Sequence, residues 1–261
     1  MERSFFFFCM LCVATASRRV LVTPLSVCGY TTSLPSFQTL QLLQSDIARC
    51  SNGQLSLSVD VYPSYVKQPC LGVCDTDGWA KNPPTPGYQH YVYIVPNAIC
   101  NNWAGLGEIG GMNSWINEQY KNAVATYMHE LGHNMGLGHA STRKDEYGDL
   151  TDSMGRCCDR RANCYNPIHT EQLGWTTPQA VLASTSKSRT ITITSYIKII
   201  TPYTWYYVQK QSHHMYVHST PPYNKKDKPK TRFEGELQTY LDLPKLTLIR
   251  NATTITLMWR T

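Results

Sequence analysis

Apolar and polar positions recur along this chain with two different periods. Leu55-Ser-Leu-Ser-Val-Asp-Val61 alternates strictly, which predicts a strand with one buried face. The β-branched run Val20-Leu21-Val22 places the first strand of the mature domain within 18–27, and 90–95 reads as a strand ended by Pro96. Leu40, Leu43, Ile47 and Ala48 fall close to helical spacing and predict a helix over 37–49. The clearest helix is 120–135, where Val124, Met128, Leu131 and Met135 recur every three or four residues and Gly136 offers a left-handed cap. Residues 70–86 are rich in Gly, Pro and Asp and read as a loop, while the glycine-rich 105–112 reads as a loop or an edge strand. An irregular stretch then runs to about Pro167. After Trp175 the pattern becomes short strands at 190–194, 206–208, 215–217, 246–249 and 254–257. No internal repeat of fixed period is visible.

The first residues change the picture. Arg3 precedes an apolar run from Phe5 to Ala14, and Ala14-Thr15-Ala16 supplies the small residues a signal peptidase reads. We read 1–16 as a secretory signal, too short to span a bilayer, which takes about 20 apolar residues. No later stretch is longer, so no membrane association is expected after cleavage. Cys9 and Cys12 leave with the signal. The remaining Cys28, Cys50, Cys70, Cys74, Cys100, Cys157, Cys158 and Cys164 are an even set, as expected of disulfides in a secreted chain, with the pairing left open. Their spacing lacks the paired knuckles of a thiolate metal site. Asn251-Ala-Thr253 is a glycosylation sequon.

With 42% hydrophobic and 16% charged residues, the chain is built to pack rather than to stay disordered. Its net charge of +6 is concentrated late, in Lys225, Lys226, Lys228, Lys230 and Arg232. That run suits either a solvated loop or contact with an acidic polysaccharide or glycoprotein. There is no basic helix and no zinc-finger spacing, which argues against nucleic acid.

One segment carries chemistry: His129-Glu-Leu-Gly-His133-Asn-Met-Gly136-Leu-Gly-His139. On a helix, His129 and His133 lie one turn apart on one face, so both imidazoles can reach one ion. Glu130 lies beside the first ligand, where a carboxylate can take a proton from water. Gly136 lets the chain turn sharply and return His139 as a third ligand. Three histidines leave a fourth position open, as catalytic Zn2+ requires. Glu130 is therefore the candidate general base, and His129, His133 and His139 are the candidate zinc ligands.

The segment resembles the extended zinc motif of metzincins, HExxHxxGxxH. Asp152-Ser-Met154-Gly155 resembles the methionine turn that lies beneath the metal in those enzymes, and implies that Met154 is a hydrophobic floor. More narrowly, the chain resembles the gametolysin (autolysin) family of algal cell-wall metalloproteases. The likeness is carried by Tyr127-Met-His-Glu-Leu-Gly-His-Asn-Met-Gly-Leu-Gly-His-Ala140, Tyr147-Gly-Asp-Leu-Thr-Asp-Ser-Met-Gly155 and Asn166-Pro-Ile-His-Thr-Glu-Gln-Leu-Gly-Trp175. Late residues Tyr206-Tyr-Val208 and Val217-His218 add to it. The resemblance implies an α/β (α+β) metzincin-like catalytic domain over 17–178, with a mixed sheet and a zinc-binding active-site helix. A small β-rich region over 179–261 follows.

It further implies a secreted endopeptidase acting on hydroxyproline-rich glycoproteins of the cell wall or extracellular matrix. The partner is then a protein substrate. Members usually carry a propeptide that holds the enzyme latent, whereas here the catalytic domain is expected to begin close to the signal cleavage point. Many metzincins also place a tyrosine two residues after the turn methionine, where this chain has Arg156.

Other residues are weighed in the same light. His169 reads as structural, since a fourth protein ligand would close the catalytic position. His213, His214 and His218 read as surface residues, and Tyr147 and Asp149 as hydrogen-bonding supports for the loop. The 105–112 segment lacks the Lys-Ser/Thr ending of a phosphate loop and instead occupies the place of the substrate-pairing strand in metzincins. The rival function is a non-catalytic secreted glycoprotein-binding protein on a degenerate protease fold.

Overall fold

A computed structural model describes residues 16–71, 74–81, 83–158, 162–183, 188–223, 229–243 and 246–259. Residues 1–15 of the expected secretory signal, and Lys225, Lys226 and Lys228 of the basic run, fall outside them. The described part is mixed α+β, with several sheets and few helices. No helix among these residues is long and apolar enough to cross a membrane.

In chain order the first region contains β1 (Ala16–Val27), β2 (Tyr30–Thr31), α1 (Phe37–Cys50), β3 (Leu55–Val61), β4 (Val66–Gln68), α2 (Thr76–Ala80) and β5 (His90–Val95). It continues with β6 (Gly105–Gly107), β7 (Asn113–Asn117), a 3-10 turn at Glu118–Tyr120, α3 (Val124–Asn134), β8 (Ala140–Ser141) and α4 (Pro167–Gln172). Beyond these lie β9 (Ala180–Ala183), β10 (Arg189–Thr192), β11 (Tyr196–Ile200), β12 (Trp205–Gln211), β13 (His214–Thr220), β14 (Thr231–Glu236), β15 (Tyr240–Leu243), β16 (Leu246–Asn251) and β17 (Thr254–Trp259).

The first sheet is mixed. β1 pairs in parallel with β3 and β4 on one side and with β5 on the other, and β5 pairs in parallel with β7. β6 runs antiparallel to β7 and ends the order, so it is an edge strand. Parallel strands covered by helices read as apolar runs rather than alternation, which is why β5 is buried throughout. α1 starts at Ser36, whose hydroxyl accepts from the Thr39 amide, and lays Leu40, Leu43 and Ile47 onto this sheet. α3 packs against the same core through Met128 and Leu131. Each such fully buried side chain contributes roughly 1.5–3 kcal/mol.

Two further sheets are built almost entirely from the end of the chain. One has the order β10-β17-β16-β15, and the other β8-β14-β13-β12-β11-β9. The exception is β8, two residues long, which joins the edge of the second sheet in parallel with β14. α4 is seated on that sheet through Ile168, which packs with Tyr196 and Tyr207.

Several sequence expectations change. The 120–135 helix begins only at Val124, because Glu118–Tyr120 forms a 3-10 turn first. The 70–86 loop contains α2, capped by the Asp75 carboxylate on the Gly78 amide. Asn113–Asn117 is a strand, and the stretch ending at Pro167 leads into α4, where Asn166 caps the helix and Pro167 stands in its first turn. The eight cysteines pair as Cys28–Cys70, Cys50–Cys164, Cys74–Cys100 and Cys157–Cys158. Cys50–Cys164 ties the end of α1 to the segment beyond Met154.

Candidate metal centre

α3 has no side-chain cap at its start and is held by burial, every residue from Ala125 to Asn134 being enclosed. It ends in a Schellman arrangement: the Leu137 amide donates to the Gly132 carbonyl and the Gly136 amide to the His133 carbonyl. Gly136 sits at φ +96°, a left-handed conformation that a β-carbon disfavours. The chain reverses there and brings His139 back over the helix.

The structure gathers His129, His133 and His139 into one group, with ligand atoms within 4.8 Å of one another. Ring centroids lie 4.8 Å apart for His129–His133, 5.4 Å for His129–His139 and 4.8 Å for His133–His139. Each ring has its Nδ1 beside an oxygen: Ser153 O at 2.8 Å for His129, Leu137 O at 2.9 Å for His133, and a Glu146 carboxylate oxygen at 2.6 Å for His139. Carbonyl oxygens only accept, so His129 and His133 donate from Nδ1 and carry their lone pairs on Nε2. That tautomer is the one a metal site demands. Burial and the neighbouring imidazoles push His129 down to about 3, which keeps its ring neutral and able to ligate. The donor set fits a zinc ion.

Glu130 is 3% exposed and, among the described residues, its carboxylate accepts no hydrogen bond. Burial pushes it up to about 8. It lies directly beneath β6. A β-carbon on Gly105 would overlap the Glu130 carboxyl, and one on Gly107 would come within 2.7 Å of the Glu130 carbonyl. The glycines that left 105–112 ambiguous in sequence are therefore what lets the edge strand lie on the helix. The Gly110 amide also donates to the His133 carbonyl, at 2.8 Å.

Met154 is fully buried against Gly132 of α3, where any side chain would overlap its sulfur. Two buried carboxylates shape this turn. Asp152 accepts from the Met154 and Asn166 amides, each at 2.6 Å, and lies 2.8 Å from His169 Nδ1. Asp149 accepts from the Thr151 amide and hydroxyl and lies 3.1 Å from His218 Nδ1. Burial raises Asp149, but its His218 and Thr151 partners outweigh burial and hold it below the ordinary carboxylate range.

His169 thus lies outside the three-histidine group, as its structural reading requires. His218 does not lie on the surface: it is fully buried, because Asp149 supplies an internal partner that no local pattern announces. His214 is exposed. Asp149 supports the loop by hydrogen bonds as expected. Tyr147 does more than that, since its ring lies 4.2 Å from His139 and 6.0 Å from His129, with 38% exposure. Arg156 points away and pairs with Asp145 at the surface. The missed contributors are Ser153 and Leu137, whose main-chain oxygens orient two ligands. Backbone roles leave no trace in side-chain identity.

A family model described as gametolysin peptidase M11 matches residues 84–234. The chain is also 31% identical over 94 residues to autolysin of Chlamydomonas reinhardtii, an alignment covering 33% of this chain and 15% of that protein. The family match runs from before β5 into β14 and contains every residue of the three-histidine group, Glu130 and the turn at Met154. The chain belongs to the gametolysin peptidase family M11.

Proposed function

We propose that this chain is a secreted zinc-dependent endopeptidase with a metzincin-type catalytic domain, hydrolysing cell-wall or matrix glycoproteins. The observation that carries the reading is a buried, unpartnered Glu130 carboxylate beside three imidazoles whose Nδ1 atoms face oxygens. His129, His133 and His139 would hold the ion. When bound, zinc supplies Lewis acidity, polarising a carbonyl and bringing the pKa of water toward about 7.

The protein's own groups do the rest. Glu130 accepts the proton of the attacking water and later delivers it to the leaving amine. β6 offers an open edge to which an extended peptide can add as a strand, with main-chain hydrogen bonds setting its register above Glu130. Exposed Leu106, Ile109 and Met112 flank that edge and give it an apolar rim. Met154 packs beneath the ligands and keeps their rings in place.

Four disulfides support an oxidising, extracellular setting. The substrate class rests on family membership and on the similarity to autolysin, from a match spanning 15% of that relative. The binding-protein alternative gives no role to an acidic side chain held beside three imidazoles, where burial disfavours its charged form and a nonpolar residue would serve as well.

The reading is tested by zymography on casein, gelatin and a hydroxyproline-rich wall extract, with and without a chelator. Clearing that a chelator abolishes and zinc restores is expected. Chelator-resistant clearing, or saturable binding of wall glycoprotein with no cleavage, would overturn it.

A further inference from the structure

Two of the three histidines ride on α3 and the first core, but the third does not. His139 is followed at once by β8, which belongs to the sheet built by the end of the chain: Ala140 pairs with Thr231 and Ser141 with Arg232. The Ser141 hydroxyl donates to the Thr231 carbonyl at 2.8 Å. Ala140 is also the hub of the loop. Its amide donates to the Met154 carbonyl at 2.8 Å, and its carbonyl accepts from the Asp149 amide at 3.1 Å. Among the described residues, the side chain that hydrogen-bonds His139 is Glu146, which is 69% exposed and a weak anchor. The backbone, not that carboxylate, must hold this ligand.

Asp149 links the loop to the second sheet a second time. One carboxylate oxygen accepts from Thr151, fixing the turn that leads to Met154. The other lies 3.1 Å from Nδ1 of His218 on β13, and both side chains are fully buried. The His218 ring packs against Phe233 of β14, the strand that receives β8. At the edge of the same junction Arg143 pairs with Glu234 of β14 at 3.2 Å, and Ser219 of β13 donates to Glu234.

Resting on the metallopeptidase reading above, we infer that the C-terminal sheet is part of the machinery that positions the third metal ligand. It acts through β8–β14 pairing and the buried His218–Asp149 pair. His218 is a positioning residue that never meets substrate. Its side chain fixes Asp149, Asp149 fixes Ala140 and the Met154 turn, and Ala140 fixes His139. This gives the 179–261 region a task inside the active site rather than beside it.

The test compares full-length His218→Leu, His218→Asn and Leu248→Ala with wild type. Leu248 is fully buried in the core that Val217 of β13 shares, whereas His218 packs against Phe233 and Asp149, so Leu248 serves as a control for general loss of stability in the C-terminal region. Asn keeps a donor near the position of Nδ1. All are assayed well below their melting temperatures. In metal-free protein, His218→Leu is expected to raise hydrogen exchange across 137–155 at least tenfold, with Asn restoring most of the protection and Leu248→Ala leaving it unchanged. Competition with a chromophoric zinc chelator should show zinc affinity at least tenfold weaker for His218→Leu. The kcat should fall while KM stays within about twofold.

Asp149→Asn should give the same exchange pattern if His218→Leu does not fold. Unchanged exchange in 137–155, or His218→Leu and Leu248→Ala falling on one line of exchange against melting temperature, would overturn the inference. Failure of wild type to bind zinc or cleave peptide would instead overturn the function, since the exchange comparison needs neither.

Discussion

The helix half and the loop half of the candidate metal centre are built on opposite principles. His129, Glu130 and His133 stand on regular secondary structure, are nearly enclosed, and owe their places to apolar packing of α3. His139, Tyr147 and Met154 stand on irregular backbone held by a polar lattice of Asp149, Asp152, His169, His218 and Asn166. A rigid element delivers ligands cheaply at a fixed spacing. A loop can place one ligand to suit substrate only if many hydrogen bonds replace the missing periodicity.

The largest expected effects come from removing ligands. Alanine at His129, His133 or His139 should each abolish stoichiometric zinc by metal analysis. The metal-free variants should then separate. Losing His129 or His133 strands a main-chain oxygen and should cost about 1–3 kcal/mol in urea unfolding. Losing His139, whose partner Glu146 faces solvent, should leave metal-free stability unchanged. Equal destabilisation by all three would erase the proposed difference between the halves.

Next is pH, where the two buried carboxylates behave oppositely. Glu130 binds its proton more tightly when folded, near 8 against 4.5. Glu130 should therefore contribute a few kcal/mol less to metal-free stability as pH rises from about 5 to 8. His129, held low, contributes in the opposite sense up to about 6.5, so the Glu130 part is read as the difference between wild type and Glu130→Gln. Asp149 is held low, so its contribution persists at neutral pH and is lost only as pH falls below the ordinary carboxylate range. Urea titrations in chelator across pH 4–9 check both signs.

A smaller effect separates two glycines. Gly105→Ala should push the Glu130 carboxyl aside and lower kcat at least tenfold with zinc retained, whereas Gly138→Ala meets only the Pro229 carbonyl, at 3.9 Å, and should be nearly silent. Steady-state kinetics with metal analysis distinguish them.

The same contrast explains what the sequence made legible. Strict alternation placed β3, a bounded apolar run placed β5, and helical spacing placed α1 and most of α3, because in each the side-chain period is the backbone period. Asn113–Asn117 was missed because its Ser114 is buried through a hydrogen bond to Asn134 rather than by apolarity. Tyr196–Ile200 is buried almost throughout and so shows no alternation, and Thr231–Glu236 is a charged strand with little periodicity. In the site, the spacing of His129, Glu130 and His133 was visible because a helix turn converts sequence distance directly into geometry, and Gly136 and His139 because a left-handed cap reverses the chain just past the helix end. The burial of His218 depends on Asp149, a partner far away in sequence, and the facing of Tyr147 toward His139 depends on an irregular turn with no side-chain period; one chain read alone reveals neither.

The central claim is that Glu130 moves the proton while the three histidines hold the ion. It is tested most directly by following cleavage of a fluorogenic peptide alongside zinc content, for wild type and Glu130→Gln. The account predicts one zinc per chain in both proteins and a kcat at least a hundredfold lower in the variant. Glu130→Gln turning over at the wild-type rate with its zinc in place would contradict it.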